Sequence, residues 1–126
     1  MTSDDGTPRC FVVSQVNWSA GKWGLAIVTE RCDALFARLG LPVRKWEEDG
    51  LGDARGGLVC LPSGRIFLVE ELSHAIEHLG IPGPYVWADA RDVTKLGIDK
   101  LLDELTEGFS LQRAQLWWTQ SPDSRP

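Results

Sequence analysis

Residues 58–69, LVCLPSGRIFLV, decide the fold class of this chain. The segments 58–61 and 65–69 are short and rich in apolar, β-branched and aromatic side chains, which is typical of β-strands. Between them lies Pro62-Ser63-Gly64, a combination that is typical of a tight turn. The stretch therefore predicts a β-hairpin, and a hairpin requires an antiparallel pair of strands.

Helical periodicity occurs in three other places. Apolar residues recur at i, i+3, i+4 and i+7 in residues 71–79, and the same spacing begins at Cys32 and at Ile98. We expect Thr29 to cap the helix at Cys32. Glycine and proline predict the ends of the three helices, at Gly40 and Pro42, at Gly80 and Pro82, and at Gly108. The apolar stripes are Cys32, Leu35, Phe36 and Leu39; Leu72, Ala75, Ile76 and Leu79; and Ile98, Leu101, Leu102 and Leu105.

The remaining apolar segments complete a mixed pattern of elements. Further strands are predicted at 10–17, 24–28, 43–46, 85–88 and 115–119, and the acidic, glycine-rich residues 47–57 are predicted to form the longest loop. The order is then about ββα(β)ββαβαβ. Strand 85–88, a helix and strand 115–119 permit a right-handed parallel crossover. The sequence therefore predicts an α+β fold, with a mixed β-sheet of about five to seven strands and three helices.

Length and composition indicate a single cytoplasmic domain. The chain has 126 residues, and we predict one domain over residues 9–119 between mobile polar tails at 1–8 and 120–126. No apolar run approaches the ~20 residues of a membrane-spanning helix, and the first residues lack the pattern of a secretory signal. Cys10, Cys32 and Cys60 are odd in number and form no Cys-x-x-Cys motif, which predicts buried free thiols. The scarcity of lysine and asparagine indicates a bacterial, GC-rich genome.

The charge of the chain limits its partners. The net charge is −5 and no cluster of lysine or arginine occurs, which argues against nucleic acid and against anionic membranes. Nor does the sequence contain a Gly-x-Ser-x-Gly motif or a phosphate-binding glycine loop, so it does not favour an enzyme. We expect another protein as the partner.

Both histidines lie in residues 74–78, HAIEH, which match the H-x-x-E-H pattern of one class of zinc metalloproteases. His74 and His78 are one helical turn apart and can share a zinc ion, with Glu77 to activate its water. Glu71 is the candidate third metal ligand. We favour a solvent-exposed histidine pair and no cofactor, because both side chains lie opposite the apolar stripe of their helix. A zinc site is the alternative.

Six tryptophans are the unusual feature of the composition. Adjacent side chains of a strand point to opposite faces, so Trp117 and Trp118 cannot both enter one core. We therefore expect at least one exposed tryptophan that marks a contact surface. The candidate partner-binding residues are Trp18, Trp23, Trp118, Asp49 and Asp53.

These observations favour a non-enzymatic protein-binding module, such as an acidic inhibitor of the immunity or antitoxin type that blocks a basic partner. One alternative is a small metal-dependent hydrolase that uses His74, Glu77 and His78. Another is a small-molecule sensor on a duplicated ββα unit, because residues 24–42 and 64–82 share five identities. That sensor would have a tryptophan-lined pocket between its halves. The shared Leu-Gly-apolar-Pro ending is also a common way to terminate a helix, and we favour that explanation.

Overall fold

A computed structural model describes residues 10–48, 50 and 52–119, and this part of the chain forms seven strands and four helices. The predicted tails at 1–8 and 120–126 lie outside the described residues. The strands are β1 Phe11–Val13, β2 Lys22–Val28, β3 Arg44–Glu48, β4 Gly52–Cys60, β5 Ile66–Leu72, β6 Tyr85–Asp89 and β7 Leu116–Thr119. The helices are α1 Cys32–Leu39, α2 Ser73–His78, α3 Ala90–Leu96 and α4 Ile98–Gly108, and a 3-10 turn covers Arg113–Gln115.

The α+β prediction is confirmed, and one sheet contains all seven strands. The strand order is β1-β4-β5-β6-β2-β7. Strand β3 pairs with the same edge of β4 as β1 does: β1 lies beside residues 58–60, and β3 lies beside residues 52–56. The hairpin predicted from residues 58–69 is β4–β5, with Leu58 opposite Leu68.

The described pairs are all antiparallel, so these strands do not make the parallel pairing that the sequence permits. Strands β6 and β7 do run in the same direction, as the crossover requires, but β2 lies between them and is antiparallel to both. The last four residues of β2, Leu25–Val28, are all buried. A strand with that much apolar surface is stabilised in the interior of a sheet, where a neighbouring strand pairs with each of its edges.

The prediction of a long loop at residues 47–57 was wrong, because most of this segment belongs to the β3–β4 hairpin. One of its glycines, Gly56, is required for close packing. A Cβ atom on Gly56 would lie 1.9 Å from the carbonyl oxygen of Val69 on the neighbouring strand. At this position, glycine therefore reflects the close approach of two strand backbones and not a loop.

The hydrophobic core lies between α1, α4 and one face of the sheet. Strand β5 contributes Phe67 and Val69 to that face, and Phe67 packs edge-to-face on Phe109 beyond the end of α4, with 6.1 Å between the ring centroids. Phe36 of α1 faces Gly57 of β4. Helix α2 contributes less to the core than its sequence predicts, since Ala75 is buried but Leu79 is 62% exposed.

None of the helices in the described residues has the length and hydrophobicity that a membrane-spanning helix needs.

Helix α1 is capped differently from the prediction. The Thr29 hydroxyl donates a hydrogen bond to the carbonyl oxygen of Gln115 and does not cap the helix. Instead the carboxylate of Glu71, from β5, accepts the backbone N–H of Cys32 at 2.8 Å. The same carboxylate binds the guanidinium of Arg31 at 3.0 and 3.1 Å.

The end of α1 explains part of the internal similarity. Gly40 has a left-handed φ of 72°, its N–H donates to Ala37, and the N–H of Leu41 donates to Phe36. This is the glycine-terminated ending that a Leu-Gly-apolar-Pro sequence specifies locally. Glu30 and Glu70 are one of the five identities between residues 24–42 and 64–82, but their surroundings differ. Glu30 pairs with Arg38, whereas Glu70 is buried on the sheet.

The three cysteines are free thiols. Cys32 and Cys60 are buried, as predicted, and Cys10 is half-buried. Burial, followed by the negative charge of Glu71, raises the pKa of Cys32 to about 12. Burial also raises the pKa of Cys10.

Candidate functional site on the distal sheet face

The sheet has a second face, turned away from α1 and α4, which we call the distal face. Cross-strand partners in an antiparallel sheet point to the same side. Trp87 is opposite Leu68 and Gly24, and Tyr85 is opposite Glu70 and Ile27. Trp118 is opposite Ile27, and Phe11 is opposite Cys60. None of these side chains belongs to the core between the sheet and the helices.

Five residues near the centre of the distal face form a connected group, the Glu48–Glu70 cluster: Lys22, Trp46, Glu48, Glu70 and Trp87. The indole N–H of Trp46 donates to Glu48 Oε1 at 2.9 Å, and that of Trp87 donates to Glu70 Oε1 at 3.2 Å. Lys22 Nζ lies 3.9 Å from Glu70 Oε1 and 4.5 Å from the centroid of the Trp87 ring. Two carboxylates, two indoles and one ammonium group therefore meet on one surface.

Neighbouring glycines make room for this cluster. Gly56 is opposite Glu70 in the β4–β5 pair, so no side chain of β4 lies directly beside the carboxylate. Gly24 is opposite Trp87, and a Cβ atom there would lie 3.2 Å from Cζ3 of the indole ring. Because both cross-strand positions lack a side chain, the Trp87 ring and the Glu70 carboxylate can lie close to the sheet.

The two carboxyl groups of the cluster have pKa values that are shifted in opposite directions. Burial, followed by the hydrogen bond to Glu48, raises the pKa of Glu70. The hydrogen bonds from Trp46 and from Glu70 lower the pKa of Glu48. Each carboxyl group disfavours ionisation of the other, so Glu70 ionises at a higher pH than Glu48.

The predicted partner-binding residues do not form one surface. Trp118 is 41% exposed on the distal face, whereas Trp23 is 43% exposed and lies opposite Ala88, whose side chain points into the core. Trp18 is half-buried in the connection between β1 and β2, and Asp53 is exposed opposite Glu47. Asp49 lies outside the described residues. Trp23, Trp117 and Trp118 are exposed, as expected, and their role in a contact surface stays a prediction.

The structure brings together two of the three candidate zinc ligands, His74 and His78, but not Glu71. His74 and His78 are exposed with their ring centroids 5.0 Å apart, and with Glu77 they line a shallow cavity of about 220 Å³. Glu71 does not face this cavity, because its buried carboxylate is bound to Arg31 and to the N–H of Cys32. The described residues contain no group of three or more His, Cys, Asp or Glu side chains that could hold a metal ion.

A larger cavity, of about 730 Å³, lies where α1 and α4 end. Its walls include Leu39, Gly40, Leu61, Pro62 and Glu107. No tryptophan lines this cavity or the histidine cavity. Neither one is therefore the tryptophan-lined pocket that the sensor hypothesis requires.

Sequence reasoning missed Lys22, Glu48 and Glu70, although one signal was present. The adjacent carboxylates Glu70 and Glu71 lie in the otherwise apolar segment IFLVEEL of β5. Alternation places them on opposite faces, and each buried carboxylate then needs a partner. Both have one: Glu71 binds Arg31, and Glu70 accepts from Trp87.

No protein-family model, curated protein or solved structure matches this chain. The fold and the distal face define its class: an antiparallel α+β domain in which one sheet face carries hydrogen-bonded carboxylate and aromatic side chains.

Proposed function

We propose that this protein is a non-enzymatic binding module that holds a basic partner protein against the distal face of its sheet. The observation that carries the proposal is the Glu48–Glu70 cluster, flanked on the same face by exposed aromatic side chains. Phe11 is at one edge of the sheet and Trp118 is at the other, while Glu70 and Trp87 lie on the central strands β5 and β6.

This arrangement has the composition of a protein contact surface. Large aromatic side chains bury much area at a low cost in conformational entropy, and tryptophan is enriched where truncation weakens binding most. The carboxylates between them supply a charge that favours a cationic partner and speeds association. The net charge of −5 acts in the same direction. An inhibitor of the immunity or antitoxin type that blocks a basic protein in the cytoplasm fits this chemistry.

The test uses two tryptophans of matched exposure on opposite faces of the sheet. We would immobilise the natural chain and the variants Trp118→Ala and Trp23→Ala separately. Mass spectrometry then quantifies the proteins of the source cell that each one binds. We expect the natural chain and Trp23→Ala to retain the same partner protein. The affinity of Trp118→Ala for this partner should be at least tenfold lower, roughly 1.4 kcal/mol or more. High salt should also weaken the binding. Equal retention by both variants, or self-association that is insensitive to salt, would overturn the proposal.

The metal-dependent hydrolase is the second candidate, and the closeness of the His74 and His78 rings in one cavity favours it. It predicts a stoichiometric metal in untagged protein, and loss of that metal without unfolding in the double variant His74→Ala/His78→Ala. A metal content that is the same in the double variant excludes this function.

A further inference from the structure

Lys22 occupies the Glu48–Glu70 cluster as an internal cation. Its ammonium group lies over the Trp87 ring, at 4.5 Å from the centroid, and 3.9 Å from a carboxylate oxygen of Glu70. A cation over the face of a tryptophan within about 6 Å is attracted by the ring, and a nearby carboxylate adds to that attraction. The cluster therefore has the composition of a binding site for an ammonium or guanidinium group.

We propose that the Glu48–Glu70 cluster is the anchor site for a lysine or arginine side chain of the partner protein, and that Lys22 fills this site until the partner displaces it. The inference rests on the proposed function and adds the contact that recognises the partner. Lys22 acts as an internal competitor, so the affinity of the module depends on how firmly Lys22 is held.

The geometry makes Lys22 the replaceable member of the cluster. Its side chain is 45% exposed, whereas that of Glu70 is 6% exposed. The distance of 3.9 Å to Glu70 is longer than a direct hydrogen bond, and an ion pair with so exposed a member contributes little stability. Trp87, by contrast, is fixed by its hydrogen bond to Glu70 and by its packing over Gly24. The carboxylates and the ring can therefore stay in place while the ammonium group is exchanged.

Charge complementarity identifies the occupant. The indole N–H groups of Trp46 and Trp87 already point at the two carboxylates, and a partner's cation would add a further charge-assisted contact. An anionic or neutral group would instead meet two carboxyl groups in a partly desolvated setting, where unpaired polar groups are costly.

The test needs no identified partner. The probes are Nα-acetyl-lysine methylamide and Nα-acetyl-arginine methylamide, and the neutral control is Nα-acetyl-norleucine methylamide. They are titrated into ¹⁵N-labelled full chain, and the six tryptophan indole signals are followed by NMR. We expect saturable shifts at Trp46 and Trp87 with the cationic probes, and none at Trp23 or Trp117.

Variants of Lys22 and of the two carboxyl groups complete the test. Lys22→Met keeps the aliphatic stem but removes the ammonium group, so it should bind the cationic probes about fivefold more tightly. Lys22→Arg is the matched control and should bind them no more tightly than the natural chain. Glu70→Gln should weaken binding at least fivefold, and Glu48→Gln serves the same purpose if Glu70→Gln does not fold.

The result that overturns the inference is unchanged probe affinity in Lys22→Met, or equal shifts with the norleucine control. These outcomes are separate from failure of the proposed function. If Trp118→Ala loses the partner but the cationic probes do not bind the cluster, the module stands and the lysine anchor is wrong. If the probes bind but the partner is retained by Trp118→Ala, the cation site stands and the docking face is wrong.

Discussion

At the scale of single residues, Glu71 connects two elements that are distant in the sequence. Helix α1 has no side-chain cap of its own at Arg31. The buried carboxylate of Glu71 accepts the N–H of Cys32 and holds the Arg31 guanidinium through both oxygens. A carboxylate at this position also interacts favourably with the positive end of the helix dipole. Strand β5 therefore fixes where α1 begins.

We expect Glu71→Ala to lower the free energy of unfolding by about 2–3 kcal/mol, because it removes a helix cap and hydrogen bonds to a charged group. The control is Asp33→Ala, in the first turn of the same helix, where an exposed carboxylate pairs with Arg55 at 2.8 Å. That exposed pair should be worth less than about 1 kcal/mol. Urea unfolding of both variants measures the difference, and equal losses would show that Glu71 is not the cap.

Glu70 should give the stability of the protein a distinctive pH dependence. Its folded pKa is raised, chiefly by burial, so the folded state binds more protons than the unfolded state between the unfolded value of about 4.3 and the raised folded value. Stability from this group therefore increases as the pH falls through that window, and it is lost as the pH rises through the raised folded pKa. Glu48 acts in the opposite sense, because its lowered pKa gives stability that is lost on acidification.

The variant Glu70→Gln keeps an acceptor for the Trp87 N–H but cannot ionise. We expect it to be at least as stable as the natural chain at pH 7, and to lose the rise in stability on acidification within that window. Glu48→Gln is the opposing variant and should lower stability at pH 7. Thermal unfolding across pH 4–8 gives both profiles. A profile for Glu70→Gln that matches the natural chain would mean that Glu70 does not cause this pH dependence.

At the scale of elements, the β4–β5 hairpin depends on one glycine. Gly56 has a φ of 142°, which is strained for other residues, and a Cβ atom there would meet the Val69 carbonyl oxygen at 1.9 Å. A Cβ atom on the neighbouring Gly57 would make only ordinary contacts, with Val12 Cγ1 at 3.5 Å and with Phe36 at 3.7 Å. The two adjacent positions of one strand therefore differ in whether the backbone can accept a side chain.

Gly56→Ala should destabilise the protein by more than about 3 kcal/mol or prevent folding, because backbone atoms on two strands must separate. Gly57→Ala is the matched control and should change the free energy of unfolding by no more than about 1 kcal/mol. Denaturant midpoints and circular dichroism of the two variants decide the comparison. Equal stability would show that β4 and β5 approach less closely than the structure indicates.

At the scale of the whole molecule, the sheet separates two different surfaces. One face packs against α1 and α4 in a continuous apolar core, and the distal face carries the Glu48–Glu70 cluster. Arg65 joins the hairpin to the helices, since its guanidinium pairs with Glu104 of α4 at 2.9 Å and with Asp92 of α3 at 3.2 Å. These two ion pairs thus connect the β4–β5 hairpin to the helical layer.

Native-state hydrogen exchange should reproduce this layering. Amides of β5, which pairs with both β4 and β6, should exchange only through global unfolding. Amides of β7, which pairs with β2 alone among the described strands, should exchange about 100-fold faster or more. NMR exchange rates measure both sets. Equal protection of β7 and β5 would require that a further chain segment covers the outer edge of β7.

The sequence alone was sufficient wherever neighbouring residues specify a local structure. Residues 58–69 specify a hairpin through their turn residues and apolar runs, and the stripe from Ile98 to Leu105 specifies α4. Leu-Gly-Leu-Pro specifies the end of α1, because a left-handed glycine satisfies the last carbonyls of the helix.

Only the tertiary structure decided the relations between distant segments. The position of β2 between β6 and β7 depends on which strands can bury its apolar surface on both sides. The cap of α1 comes from Glu71, 39 residues after Cys32. The candidate site likewise joins Lys22, Glu48 and Glu70 from three strands. Periodicity reports which side of its own element a residue occupies, and strand pairing alone determines which other elements share that side.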